Sequence, residues 1–292
     1  MRIAEALEKF LVQLAADGRS PHTIGQYRRH IRLFARWARD VGPRCQRIES
    51  LDHEAIAQFL AASLANTRPD GERKKATSTN CLRSSLKCFF AYVNRAGYIT
   101  HDPGRLIRRA MCSPPPPRAM SSDDQKQLLA VLAKSKGSQG RRDYALFHLM
   151  LSTGIRVGSA IALDLIDVDL ARGEIQLQHA KGNRQDRVFL GKAIRAHLKR
   201  YLVGRTTGPL FTGRDGQRIS ARHAHRRFRF WLKKAGITGT FSPHSLRHSF
   251  GMKIYGETRD LLLTKLALHH RSIASTLTYA NASDDRLRKI LA

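Results

Sequence analysis

The stretch His244-Ser245-Leu246-Arg247-His248, followed by Leu268-His269-His270-Arg271-Ser272 and then by Tyr279, decides how the rest of the chain is read. Pro243 precedes it, and a proline there fits the first turn of a helix. On that helix His244 and Arg247 are three apart and share a face. The face offers a proton acceptor and a planar five-donor cation, which suits a phosphate oxygen beside a hydroxyl that must lose a proton. His270 and Tyr279 are nine apart, and an unbroken helix would point them in opposite directions. Ser272 is a good N-cap, so a turn is predicted at His270 to Ser272 with a new helix after it. Both side chains then line one pocket. His244 and His248 have the spacing of a zinc pair, but the zincin pattern needs Glu after the first His, and Ser245 stands there.

Working outward, 292 residues suit two domains. The net charge of +29 points to a polyanionic partner. Its distribution supports this: residues 181–234 carry 16 basic and 2 acidic residues, and residues 1–110 carry 20 and 10. Both halves are basic, as a clamp around a duplex requires. The four cysteines have no Cys-x-x-Cys spacing, which argues against zinc, and Cys81 and Cys88 are read as core thiols. No apolar run of 18 residues and no signal peptide is read, so the expectation is a cytoplasmic protein with no membrane partner.

The N-terminal 111 residues read as helices. Residues 3–16 carry an apolar stripe of helical period that ends at Gly18. Ser20-Pro21 opens a second helix as cap and first residue. One face of it holds Ile24, Tyr27, Ile31, Phe34 and Trp37, and another holds Arg28, Arg32 and Arg36 among other arginines. No acid occurs between Arg19 and Arg39 to pair with them, so these three are expected at DNA phosphates. Further helices are expected at 52–66, capped by Ser50, and at 77–96. The run Ser113-Pro114-Pro115-Pro116-Pro117 reads as a polyproline II spacer.

Beyond the spacer, helices are expected near 122–134 and 140–152, then the box Thr153-Gly154-Ile155-Arg156. Strands are expected at 166–170, 174–178 and 187–190, with Lys181 at the edge of a turn. Helices follow at 192–203 and 221–235. The latter carries Arg222, Arg226 and Arg229, which are expected to face DNA, while Phe228, Phe230 and Trp231 pack inward. Residues 284–291 form a last short helix.

These motifs, in this order, resemble the tyrosine recombinases of the phage integrase family, in their compact Xer-like form. The resemblance covers nearly the whole chain. It implies a mainly α fold with a small antiparallel β-sheet: an all-α, SAM-like core-binding domain at 1–111, a linker at 112–119 and an α+β catalytic domain at 120–292. It also implies catalytic roles. Arg156 and Arg247 would neutralise the phosphate oxygens, His244 would take the tyrosine proton and His270 would hold an oxygen. Lys181 would protonate the leaving 5′-oxygen, and Tyr279 would form a 3′-phosphotyrosyl bond. No cofactor, metal or nucleotide is implied. The implied partner is double-stranded DNA, bound by a homo-tetramer on two sites that is monomeric when free, its C-terminal helix docking on a neighbour.

Two positions depart from the pattern. His269 stands where the family usually has Gly. Ser159 stands where an acid commonly buttresses the first arginine, and Asp164 is the expected substitute. The rival readings are a type IB topoisomerase and a DNA-binding homologue that has lost catalysis.

Overall fold

The computed structural model describes residues 1–112, 116–180 and 184–280. They belong to two compact units, Met1–Ser113 and Pro114–Ala292.

The first unit is helical. Helix α1 (Ile3–Ala16) buries Ile3, Leu7, Phe10 and Leu14, the stripe its period predicts. Helix α2 (Pro21–Val41) starts where Ser20 accepts the Thr23 N–H at 3.2 Å and Pro21 occupies the first turn. The expected helix at 52–66 is two pieces, α3 (His53–Ala61) and α4 (Ser63–Asn66). Its cap is Asp52 rather than Ser50, since the Asp52 carboxylate accepts from the Ala55 N–H at 2.8 Å. Helix α5 (Ala76–Arg95) packs against α1, α2 and α4. Phe34 meets Phe59 and Phe90 edge-on at 5.1 and 5.7 Å, so rings from α2, α3 and α5 form the centre of this core. Each such buried ring contributes roughly 1.5–3 kcal/mol. Cys81 is exposed, which corrects its reading as a core thiol, whereas Cys88 is half-buried and packs against this core. The inward positions of α5 belong to Leu82, Leu86, Phe89, Phe90 and Val93.

The second unit starts with α6 (Ser122–Ala133) and α7 (Ser138–Thr153). Helix α7 is its axis, with Leu146, Phe147, Leu149 and Met150 at 1% exposure or less. The short α8 (Val157–Ala162) leads to a three-stranded antiparallel sheet, β1 (Val168–Asp169), β2 (Glu174–Ala180) and β3 (Arg184–Phe189), in the order β1-β2-β3. In the β2–β3 register Ile175 faces Val188 and Leu177 faces Asp186. The first predicted strand is mostly not a strand: Leu165–Asp167 is a 3-10 turn, closed by a capping box between Asp164 and Asp167. Helices α9 (Lys192–Tyr201), α10 (Ala221–Lys234), α11 (Pro243–Thr258), α12 (Leu261–Ala267) and α13 (Leu277–Ala280) complete it.

A buried ionic knot fixes α10 on α7. Asp143, 1% exposed, accepts from Arg142, from Arg227 at 2.6 Å and from the Trp231 indole at 2.8 Å. A buried carboxylate is tolerable when several donors satisfy it. Arg227 is therefore committed to the fold. Phe230 is corrected too: it is 47% exposed, with the Arg227 guanidinium 4.5 Å over its ring. No helix among the described residues is long and apolar enough to cross a membrane.

Candidate active site

Helix α11 carries His244, Arg247 and His248. Pro243 occupies its first turn, and Ser242 and Ser245 form a reciprocal cap. Arg247 is 2% exposed. Its guanidinium donates to the Gly154 carbonyl at 2.6 Å and to the Leu268 carbonyl. Those carbonyls lie at the C-caps of α7 and α12. Helix C-termini leave carbonyls without intrahelical donors and carry negative partial charge, which is how a buried cation is tolerated here. Burial, with the nearby Arg156 charge, still lowers Arg247 to about 10.

Gly154 is needed for this contact. It ends α7 at φ +65°, and a Cβ there would lie 2.4 Å from Phe250 and 2.9 Å from Leu268. The next residues open α8 with Arg156 as its N-cap residue, exposed to solvent. Arg156 and Arg247 line one cavity of about 70 Å³, together with Asp167, Asp186 and His269.

The predicted break after His270 is present. Ser272 accepts the Ala274 N–H and caps a 3-10 turn, Ile273–Ser275, and α13 follows. The break turns Tyr279 back onto α11, where it is 1% exposed. Its ring lies parallel to that of His270, 6.4 Å between centroids. Gly251 provides the seat: a Cβ there would sit 2.6 Å from Tyr279 Cζ. Nδ1 of His270 is 2.9 Å from the Thr276 hydroxyl. When that hydroxyl donates, Nε2 of His270 carries the proton and is itself a donor.

The tyrosine hydroxyl does not meet His244. It lies 3.1 Å from Nδ1 of His248, and His244 packs edge-on behind, 4.7 Å between ring centroids. His244 as immediate partner of the phenol is thus corrected. One helical turn separates His244 from His248, and the tyrosine approaches from the side of the later residue. The signal was present in the His-x-x-x-His spacing, which sequence reasoning weighed for zinc alone.

The electrostatics are coherent. Loss of water around its ring, then the charges of His248, Arg247 and Arg156, push His244 down to about 4, although one edge stays open to solvent. Burial, then Arg247 and Arg156, puts His270 at about 4. Burial and Arg247 lower His248 as well. Each of these shifts favours the neutral imidazole. Burial raises Tyr279, and the two arginines pull the other way. Among the described residues no group of three or more metal-ligating side chains is assembled.

Asp164 does not serve beside Arg156. Arg218 binds its carboxylate at 2.6 Å. The acids that line the arginine cavity are Asp167 and Asp186. Lys181 and residues 284–291 lie outside the described residues. Arg28, Arg32 and Arg36 are exposed on α2, Arg32 standing 3.9 Å from Glu8 of α1. Arg222, Arg226 and Arg229 are exposed on α10, with Arg226 3.1 Å from His223.

A helical unit and a mixed unit that gathers tyrosine, histidines and arginines define a class of DNA breaking and rejoining enzymes. Residues 118–286 match the phage integrase family, and residues 7–97 match the phage integrase N-terminal SAM-like domain. The chain is 28% identical over 297 residues to a tyrosine recombinase XerD of Ralstonia nicotianae, covering 99% of this chain and 93% of that one. It is 29% identical over 290 residues to a tyrosine recombinase XerC of Chromobacterium violaceum, covering 98% and 93%. Its fold is similar to that of the XerH site-specific recombinase bound to palindromic difH substrate, with a TM-score of 0.75 and 19% identity over 98% of this chain and 83% of that one. The chain belongs to the phage integrase family: it is a tyrosine recombinase that cleaves and rejoins DNA in site-specific recombination.

Proposed function

We propose that Tyr279 is the nucleophile and that Arg156, Arg247, His248, His244 and His270 serve it. The observation that carries this reading is the seating of the Tyr279 hydroxyl on His248, beside an arginine buried between two helix ends. Neutral His248 takes the phenolic proton, and His244 behind it supports the charge that results. The tyrosine oxygen forms a bond to phosphorus while the bond from phosphorus to the 5′-oxygen breaks. Arg156 and Arg247 neutralise the non-bridging oxygens, most strongly in the transition state. His270 donates to one of them through Nε2. Lys181 protonates the departing 5′-oxygen. One phosphate ester replaces another, so neither a metal nor a nucleotide enters the step. A 5′-hydroxyl of a second strand reverses it.

The division into a core-binding domain at 1–111, a linker and a catalytic domain at 120–292 is part of the same reading. So is double-stranded DNA at the arginines of α2 and α10. The protein acts in the cytoplasm, as two protomers per site and four in the synapse. Exposed Leu262 and Leu266 on α12, 64% and 67% open, support contact with a neighbour's tail near the nucleophile.

The test is a suicide duplex on which cleavage cannot reverse. Wild-type protein should form a covalent adduct in excess chelator, and Tyr279→Phe should form none. An adduct with the Phe variant would remove Tyr279 from the role. Joining of two sites, rather than relaxation of one supercoiled circle, distinguishes recombination from topoisomerase action.

A further inference from the structure

Helix α12 ends in a way that calls for glycine. The His270 N–H bonds to the Lys265 carbonyl at 3.0 Å and the His269 N–H to the Leu266 carbonyl at 2.9 Å. This is the paired closure in which the residue after the C-cap must be left-handed. Here that residue is His269, at φ +49°. Glycine adopts this conformation without penalty, whereas a side chain with a Cβ is strained in it. Strain of this kind persists where the side chain has work that outweighs it.

The imidazole of His269 points into the arginine cavity. Its Nδ1 is 3.8 Å from Oδ2 of Asp186, beyond hydrogen-bond length and within ion-pair reach. Asp186 is on β3, opposite Leu177, which lines the same cavity. The two side chains are 19% and 31% exposed, so solvent screens them only partly. The contact therefore joins the β2–β3 hairpin to the turn that precedes the nucleophile segment, across the space where Arg156 and Arg247 converge.

We propose that His269 and Asp186 form a positioning pair that holds the β2–β3 hairpin against the two arginines during strand cleavage. The pair deepens the tyrosine-nucleophile reading and rests on it. The charged groups that act on His269 are Asp186, Arg247 and Arg156, and Asp167 lines the same cavity. In the free protein burial lowers His269 from its usual value; the arginines act in the same direction and Asp186 opposes them. A phosphate between the arginines cancels part of their charge. That favours protonation of His269 by solvent and shortens its contact with Asp186 to a charge-assisted bond. The hairpin is thus drawn in when DNA is seated.

The experiment is a double-mutant cycle on His269→Gly and Asp186→Asn, with two readouts. The first is the single-turnover rate of adduct formation on the suicide duplex, alongside the duplex Kd. Each single variant should cleave about tenfold more slowly at an unchanged Kd, and the double variant no more slowly than either. His269→Gly should also raise Tm, because it relieves the backbone. A Gly variant that cleaves at the wild-type rate, or single effects that multiply in the double variant, would overturn the pairing. The second readout needs no cleavage: the NMR titration of the His269 ring. Asp186→Asn should lower its pKa and added duplex should raise it; no change in either overturns the proposal. If wild-type protein forms no adduct while the NMR shifts appear, the nucleophile reading fails and the pair stands.

Discussion

The hydroxyl of Tyr279 lies 3.1 Å from Nδ1 of His248, with the ring itself laid over Gly251 of the same helix. Helix α11 therefore supplies Arg247, His248 and the floor on which Tyr279 rests. At rest the tyrosine is covered, at 1% exposed.

His248→Asn should slow adduct formation by about 10²-fold or more, the usual contribution of a positioned general base. His244→Asn should slow it less, since its ring stands behind. Rapid-quench assays on the suicide duplex compare the two. The opposite ranking would return the acceptor role to His244.

Gly251→Ala should impair both stability and cleavage. Gly to Ala inside a helix ordinarily stabilises by about 0.5–1 kcal/mol. At this position the new methyl would sit 2.6 Å from Tyr279 Cζ and 2.9 Å from Leu268 Cδ1. Overpacking of this kind costs about 1–3 kcal/mol. Thermal melts should show a lower Tm and the suicide assay less adduct. A raised Tm with full activity would mean that the tyrosine does not pack there.

Stability should fall on acidification. His197, 7% exposed, is pushed to about 4, first by burial and then by His148 and Arg200. Its folded value lies below the unfolded value of about 6.5. Between pH 6.5 and 4 the unfolded chain therefore binds more protons, and the native state loses up to about 3 kcal/mol from this residue. Urea midpoints across that window should drop in the wild type and drop less in His197→Phe. Equal slopes would exclude His197 as the source.

DNA affinity should depend steeply on salt, log K falling by about 0.9 per phosphate neutralised in log salt. Replacing Arg28 and Arg36 by Ala should lower affinity and reduce that slope. Arg32→Ala should do less, because Glu8 stands 3.9 Å from its guanidinium. Gel-shift titrations at several salt concentrations measure this, and an unchanged slope would leave that face of α2 merely solvated.

Removing residues 284–292 should leave half-site binding intact and weaken cooperativity on a full site. Titrations on half and full sites read this directly. Equal cooperativity in a folded, truncated protein would place the tail on its own catalytic unit.

The helices of the first unit were legible because their apolar positions recur with the period of a helix and their starts carry caps that act locally, as Ser20-Pro21 does for α2. The spacing of His244, Arg247, His270 and Tyr279, with the break at Ser272, was legible for the same reason: both depend on neighbours a few residues away. What only the tertiary structure decided involves groups distant in the chain. Sequence spacing does not tell that Arg247 would cap two helix ends at Gly154 and Leu268, because those carbonyls arrive from 93 and 21 residues away. Nor does it choose His248 over His244, since both lie on the helix face that meets Tyr279 and the choice depends on how far α13 slides along α11. The acids of the arginine cavity, Asp167 and Asp186, likewise come from a 3-10 turn and a strand that only folding brings beside α11. Local periodicity and caps are short-range, whereas charge compensation in a buried site depends on which ends of which elements meet.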